Sequence, residues 1–153
     1  MEQTAVNVLT AILIAAISAW ITVQLSLRRF RTEKWWERKV DAYSRVIEAL
    51  HNSKAFSDQY LHATYQGREL SEERQAELRL RARAARDDIL KAMDVGAFLF
   101  SKEALDRLKQ YQKDEEDASK HESWHDHLES DWAAANNCLK DIIAISKKDL
   151  RTT

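Results

Sequence analysis

The amino-terminal part of the chain is a long run of uncharged, mostly apolar residues. No Asp, Glu, Lys or Arg occurs from Gln3 to Leu27, and the apolar side chains cover every face of a helix. A helix needs about 20 such residues to cross roughly 30 Å of hydrocarbon. The pattern predicts a transmembrane helix over residues 5–27, preceded by a short extracytoplasmic N-terminus of residues 1–4.

Basic residues flank this run on one side only. No Lys or Arg precedes the run. The basic residues that follow it are Arg28, Arg29, Arg31, Lys34, Arg38 and Lys39. Basic flanks stay in the cytoplasm when a helix inserts, and they attract anionic lipid headgroups. We therefore expect a single-pass protein of the cell inner (plasma) membrane, with its N-terminus outside and residues 28–153 forming a cytoplasmic helical domain.

Two other interpretations of the apolar run are less favourable. A cleaved signal peptide begins with basic residues, whereas this chain begins Met1-Glu2-Gln3, and the small residues that could mark a cleavage site, Ala16 and Ser18, lie inside the run. A helix that is apolar on all faces is either a membrane span or the core helix of a large protein, and a core helix is not expected at the extreme amino terminus. We expect the segment to stay in the membrane.

Small residues recur along one face of the predicted membrane helix. Ala11, Ala15 and Ala19 are spaced four apart. Small side chains on one stripe let two membrane helices approach closely. The spacing favours packing of this helix against another copy, so a homo-oligomer or a protein partner is expected.

Periodic apolar residues continue beyond the membrane segment and indicate further helices. The first set of apolar residues has the coiled-coil-like spacing 4, 3, 4 and 3, and it consists of Trp36, Val40, Tyr43, Ile47 and Leu50. Trp35, Val46 and Ala49 widen this seam into a bundle face. A second helix carries Leu78, Ala82, Ala85, Ile89 and Met93, a third carries Ala104, Leu105, Leu108 and Tyr111, and a last one carries Trp124, Leu128, Trp132, Ala135, Leu139, Ile142 and Ile143. We expect Trp35 and Trp36 to pack within the domain.

Turn and capping residues predict where these helices end and begin. Gly67 can adopt the left-handed conformation that ends a helix, and Ser71 and Ser101 can cap the next two. The chain has two Gly and no Pro, which favours long helices over a fold rich in tight turns. The predicted fold is all-α: a transmembrane helix continuous with an antiparallel cytoplasmic bundle of about four helices.

One stretch matches a catalytic motif letter by letter. His121-Glu122-Ser123-Trp124-His125 reads H-E-x-x-H, which on a helix can bind zinc through its two histidines. A catalytic zinc needs a third protein ligand, and the sequence offers no downstream extension of the motif. Asp126 and His127 make the following residues strongly polar, whereas metalloprotease helices are buried at this point. We expect these histidines to be solvated, with no metal site.

The remaining chemistry argues against an enzyme or a nucleic-acid-binding protein. The net charge is −1, without the basic excess that nucleic acids require. The Arg-rich stretch of the second helix is accompanied by acidic residues, so it is expected to be a solvated surface. Cys138 lies among core-facing positions and is expected to be a small core residue. No glycine-rich phosphate loop occurs, and we expect no cofactor and no small-molecule substrate.

Two segments resemble known proteins. RTEKWWERKVDAYSRVIEAL, from Arg31 to Leu50, and IIAISKKDLR, from Ile142 to Arg151, are similar to segments of uncharacterised bacterial single-pass membrane proteins with a helical cytoplasmic domain. The resemblance implies an anchored helical domain and carries over no active residues.

These observations favour a non-enzymatic protein that presents a helical protein-interaction domain to the cytoplasm. One alternative is a membrane-perturbing effector of a bacterial defence or toxin system, which would oligomerise through the alanine stripe. The other is a zinc-dependent hydrolase that uses the HESWH motif.

Overall fold

The fold is all-α over the part of the chain that the structure describes. The structure, a computed structural model, describes the backbone of residues 2–151 and the side chains of residues 13–151. It contains helices α1 (Glu2–Tyr65), α2 (Glu72–Val95), α3 (Lys102–Ala118) and α4 (Trp124–Asp149), with a short 3-10 helix at Gly96–Phe98. No strand occurs within these bounds. The predicted fold class is therefore confirmed at the level of helix content and number.

The chain divides into two compact units. The first ends at Glu37 and the second begins at Arg38. The first contains the apolar run and most of its basic flank. The second, called here the helical unit, contains the last part of α1 together with α2, α3 and α4.

The predicted helix boundaries are confirmed by the backbone and the caps. Gly67 has φ +61°, the left-handed conformation that an L side chain rarely adopts, and the amide of Arg68 donates to Ala63 O to close the end of α1. The hydroxyls of Ser71 and Ser101 accept hydrogen bonds from the first turns of α2 and α3. A third cap, Ser123, was not predicted and starts α4.

The core of the helical unit is formed by the periodic residues of its helices. Its largest buried side chains include Tyr43, Leu50, Leu108, Tyr111 and Ile142. At one end of the unit, the rings of Tyr43 and Phe100 meet edge to face with centroids 4.8 Å apart. Gly96 is needed beside them, because a Cβ at this position would overlap the Phe100 ring.

The predicted apolar faces are confirmed for α2, α3 and most of α4. Buried residues among those predicted are Leu78, Ala85, Ile89, Ala104, Leu108, Tyr111, Leu128, Ala135 and Ile142. Trp35 and Trp36, which were expected to pack within the domain, are 41% and 43% exposed and belong to the first unit. Trp124 is also exposed, since it is the first residue of α4 and stands at the end of the helix.

Candidate functional site

The apolar part of α1 is one candidate functional site. Its described side chains are exposed although they are large and hydrophobic; Ile14 is 61% and Trp20 is 64% exposed. This stretch of α1 is the one segment among the described residues that is long and apolar enough to cross a membrane, and it lies near the N-terminus. A soluble protein rarely leaves such a surface uncovered.

Polar residues within the apolar run are satisfied locally. The hydroxyl of Thr22 donates to Ser18 O, one turn earlier, at 2.8 Å. A hydroxyl bonded in this way needs no water, which lowers the cost of placing it in hydrocarbon.

The alanine stripe is described only in part. Ala15 and Ala19 are exposed and lie four residues apart on the helix, whereas the side chain of Ala11 lies outside the described residues. This spacing puts the two described alanines on one face. Their role in helix packing stays a prediction.

The basic flank is distributed over both units. Arg28, Arg29, Arg31, Lys34 and Arg38 are exposed. Lys34 forms an ion pair with Glu37 at 2.6 Å. Lys39 differs from the others, because it is half-buried and its Nζ donates to Asp149 O at 3.1 Å. Lys39 therefore also holds the last turn of α4, a structural role that its position in the sequence did not reveal.

The H-E-x-x-H stretch does not lie on a single helix. Ser123 caps α4, so His121 precedes the helix and His125 lies inside its first turn. His121 Nε2 instead lies 3.0 Å from Ser130 Oγ, and His127 Nδ1 lies 2.9 Å from Ala118 O. The motif histidines, His121 and His125, therefore do not share a helix face, which the zinc-binding geometry of the motif requires.

A different group at the start of α4 has the side chains of a metal site. One ligand atom each from His125, Asp126 and Glu129 lies within 4.8 Å of the others. Two features weaken it as a cation site. Both carboxylates are exposed, and the positive end of a helix dipole disfavours cations in the first turn.

A polar network ties one end of the helical unit together. Tyr43 Oη and the Ser101 amide both donate to Asp149 Oδ2, the latter at 3.3 Å. Burial alone would raise the pKa of Asp149, but hydrogen bonds from Tyr43 and Ser101 and the charge of Lys39 hold that pKa below its usual value. Burial and the hydrogen bond to Asp149 raise the pKa of Tyr43 to about 12.

A second set of polar contacts involves residues further along α1. Ser53 Oγ and Tyr111 Oη are 2.8 Å apart, and Tyr111 Oη donates to Glu115 Oε1 at 2.8 Å. Ser57 donates to Asp131 at 2.5 Å. Burial, together with the charge of Asp131, raises the pKa of Glu115 despite its hydrogen bond from Tyr111. These groups are bonded to one another, which is what buried polar groups require.

Sequence reasoning missed both networks, although a signal was present. Ser53 and Ser57 continue the buried seam of α1 at the spacing of Tyr43, Val46 and Leu50. Serines at seam positions predict polar partners across the core. Those partners cannot be identified from one sequence, because they come from other helices.

Cys138 is a buried core residue, as predicted. It is 0% exposed, and burial raises the pKa of its thiol to about 12. A thiol in this state is a poor nucleophile, since the thiolate is the reactive form.

An open cleft runs between the α1 and α2 parts of the helical unit, with a volume of about 570 Å³. Its floor is apolar, and its rim carries Arg38, Asp88 and Lys91. Asp41 and Arg45, also on the rim, form an ion pair with each other at 3.0 Å. The cleft is as large as a typical ligand site. The charged side chains on its rim do not form a recognisable catalytic or ligand-binding cluster.

Comparisons with known proteins find no match among family models, curated proteins or solved structures. The resemblance of the two sequence segments to bacterial single-pass proteins therefore stays a prediction.

Proposed function

We propose that this chain is a single-pass protein of the inner (plasma) membrane that presents a helical protein-interaction domain to the cytoplasm and has no catalytic role. The apolar part of α1 is the anchor, and the helical unit is the interacting part, with its helices packed as an antiparallel bundle. The same helix, α1, contributes to both.

The main support for this proposal is the exposed apolar surface of α1. Burying a Leu, Ile or Trp side chain away from water stabilises by about 1.5–3 kcal/mol. The exposed large hydrophobics of this stretch are Leu13, Ile14, Ile17, Trp20, Ile21, Val23, Leu25 and Leu27. Insertion into lipid removes all of them from water at once, and a single protein partner would have to enclose the whole helix to do the same.

Charge distribution supports the orientation. Cations are rarely translocated, and the exposed arginines that follow the anchor are Arg28, Arg29 and Arg31. These side chains also reach anionic headgroups, each contributing about 1 kcal/mol near the surface.

The interior of the helical unit supports a role in binding rather than catalysis. Its buried ionisable groups serve as partners for one another, as in the Tyr43–Asp149 and Tyr111–Glu115 pairs. Its cysteine is buried with a raised thiol pKa. These interior groups hold the helices together, and the outer surface is the part proposed to recognise a partner.

The anchor is tested by extraction of membranes with alkaline carbonate. We expect the full chain to stay in the membrane pellet. Arg at the centre of a membrane helix costs about 2.5–3.5 kcal/mol, so Ile17→Arg should increase the extracted fraction. Ala144→Arg, which changes an exposed position on α4, is the matched control. Complete extraction of the unsubstituted chain, or equal behaviour of the two variants, would contradict the proposed anchor.

A further inference from the structure

A hollow that is open to solvent lies between the last turns of α1 and the first half of α4, with both walls inside the helical unit. Its volume is about 550 Å³, which is the size of a typical ligand pocket. Two carboxylates, Asp58 and Glu129, and two aromatic rings, Tyr65 and Trp132, contribute to its lining. We call it the α1–α4 hollow.

Two hydrogen bonds join the walls of the α1–α4 hollow in opposite directions. Trp132 Nε1 on α4 donates to Asp58 Oδ1 on α1 at 3.2 Å. Tyr65 Oη on α1 donates to Glu129 Oε1 on α4 at 3.0 Å, and this bond raises the pKa of Tyr65, so that its hydroxyl stays a neutral donor. An ionised carboxylate has about four acceptor positions. Each carboxylate is therefore held in place by a neutral group and keeps most of its capacity to accept further hydrogen bonds.

The negative charge of the α1–α4 hollow is not balanced by its own lining, since none of the described residues that line it is Lys or Arg. Glu129 lies 3.9 Å from His125 Nδ1, which forms an ion pair only when that ring is protonated. Lys54 lies over the Trp132 ring, 5.5 Å from its centroid, and within the described part of the chain it pairs with neither Asp58 nor Glu129. Carboxylates in a concave site concentrate a negative potential, which attracts cations.

The rest of the lining suits an extended cationic side chain. The Tyr65 ring is 68% exposed, and Trp132 is half-buried. Aromatic faces attract cations that lie within about 6 Å of the ring centroid, and Lys54 already makes such a contact with Trp132. Leu61 and Ala133 are half-buried and line the same hollow. Arg and Lys have apolar stems that pack on surfaces of this kind, so such a side chain uses the rings and the aliphatic groups as well as the carboxylates.

We propose that the α1–α4 hollow is the docking point for an Arg or Lys side chain of a protein partner. The cation lies between Asp58 and Glu129, and its stem packs against the rings of Tyr65 and Trp132. The inference rests on the proposed function, because it names the part of the outer surface through which the helical unit recognises its partner. Exposed ion pairs and cation–π contacts are individually weak. The hollow therefore supplies one anchor of a larger interface and does not retain a free amino acid.

NMR of the full chain in detergent micelles tests the docking point. The indole N–H signal of Trp132 is followed at pH 8, with EDTA and at fixed ionic strength, as the peptide acetyl-Gly-Gly-Arg-Gly-Gly-amide is added. Unperturbed histidine is neutral at this pH, and EDTA removes metal ions. The control peptide contains citrulline, whose neutral urea group has nearly the shape of the guanidinium. We expect a saturable shift with the Arg peptide and none with the citrulline peptide. Equal shifts from both peptides, or no shift from the Arg peptide, overturn the proposal.

Neutral isosteres test the two carboxylates. Asp58→Asn combined with Glu129→Gln removes both charges and keeps an acceptor oxygen for each hydrogen bond between the walls. The Arg peptide should bind this variant about fivefold more weakly, as expected for the loss of two exposed ion pairs. The matched control, Asp106→Asn combined with Glu116→Gln, removes two exposed carboxylates of α3 and should keep the affinity. An equal loss in both double variants overturns the inference. If the first does not fold, Glu129→Gln alone is compared with Glu116→Gln.

Two further arms separate the sources of failure. Free L-arginine should bind no more tightly than the Arg peptide; tighter binding would assign the hollow to a small cationic molecule and overturn a protein partner. A chain that stays in carbonate-washed membranes but does not bind the Arg peptide refutes the docking point alone. Extraction of the chain by carbonate refutes the proposed anchor, whatever the result with the peptide.

Discussion

Removing the Asp149 carboxylate should destabilise the helical unit strongly, although Asp149 is the last residue of α4. Asp149→Ala deletes the acceptor of Tyr43 Oη and of the Ser101 amide. Tyr43 is 2% exposed, so its hydroxyl cannot turn to water without moving the ring away from Phe100. The substitution therefore removes the carboxylate that accepts the hydrogen bond of a buried hydroxyl.

The size of the loss follows from the number and kind of these bonds. A hydrogen bond to a charged group contributes about 1.5–3 kcal/mol. Tyr43 and Ser101 donate to the same oxygen, so their contributions are coupled rather than additive. We expect the free energy of unfolding to fall by about 2–4 kcal/mol. Asp149→Asn keeps one acceptor oxygen without the charge and should lose less.

Denaturant unfolding of the full chain in detergent micelles, followed by circular dichroism, measures this loss. Asp106→Ala, which removes an exposed carboxylate on α3, is the control and should change stability by less than about 0.5 kcal/mol. A loss for Asp149→Ala no larger than that of the control would refute the network as a source of stability.

The same variant predicts a pH dependence. The pKa of Asp149 is lower in the folded chain than in the unfolded one, because the folded state favours its ionised form. Its contribution is therefore present above the unfolded pKa, near 3.9. The stability difference between the unsubstituted chain and Asp149→Ala should shrink as the pH falls below that value. A difference that grows on acidification would contradict the assigned sign.

Three further outcomes are expected. Glu115→Gln should raise stability at pH 7, because burial raises the pKa of Glu115 and disfavours its ionised form; the gain, measured by urea unfolding, should disappear below the unfolded pKa of Glu. Gly96→Ala should cost about 1–3 kcal/mol, since its Cβ would displace the packed Phe100 ring, and an unchanged melting temperature would refute that packing. Cys138 should resist iodoacetamide at pH 8 until denaturant is added, and rapid alkylation of the folded chain would show that the thiol is accessible.

The helices and their caps could be predicted from sequence because the signals are local. Ser71, Ser101 and Gly67 act on residues within a few positions of themselves. The apolar faces of α2 and α3 repeat at helical spacing, and their buried members Leu78 and Leu108 were identified from that spacing alone.

The polar interior could not be predicted, because its contacts join distant parts of the chain. Tyr43 meets Asp149 across 106 positions, and Ser53 meets Tyr111 across 58. Asp149 is only 8% exposed, although its neighbours Lys147 and Lys148 are exposed cations.

Reporter fusions at the carboxyl end test the central claim most directly. Alkaline phosphatase is active only outside the cytoplasm, whereas green fluorescent protein folds inside it. The account predicts a fluorescent fusion in the membrane fraction and an inactive phosphatase fusion. An active phosphatase, or a full-length product recovered from the soluble fraction, would contradict it.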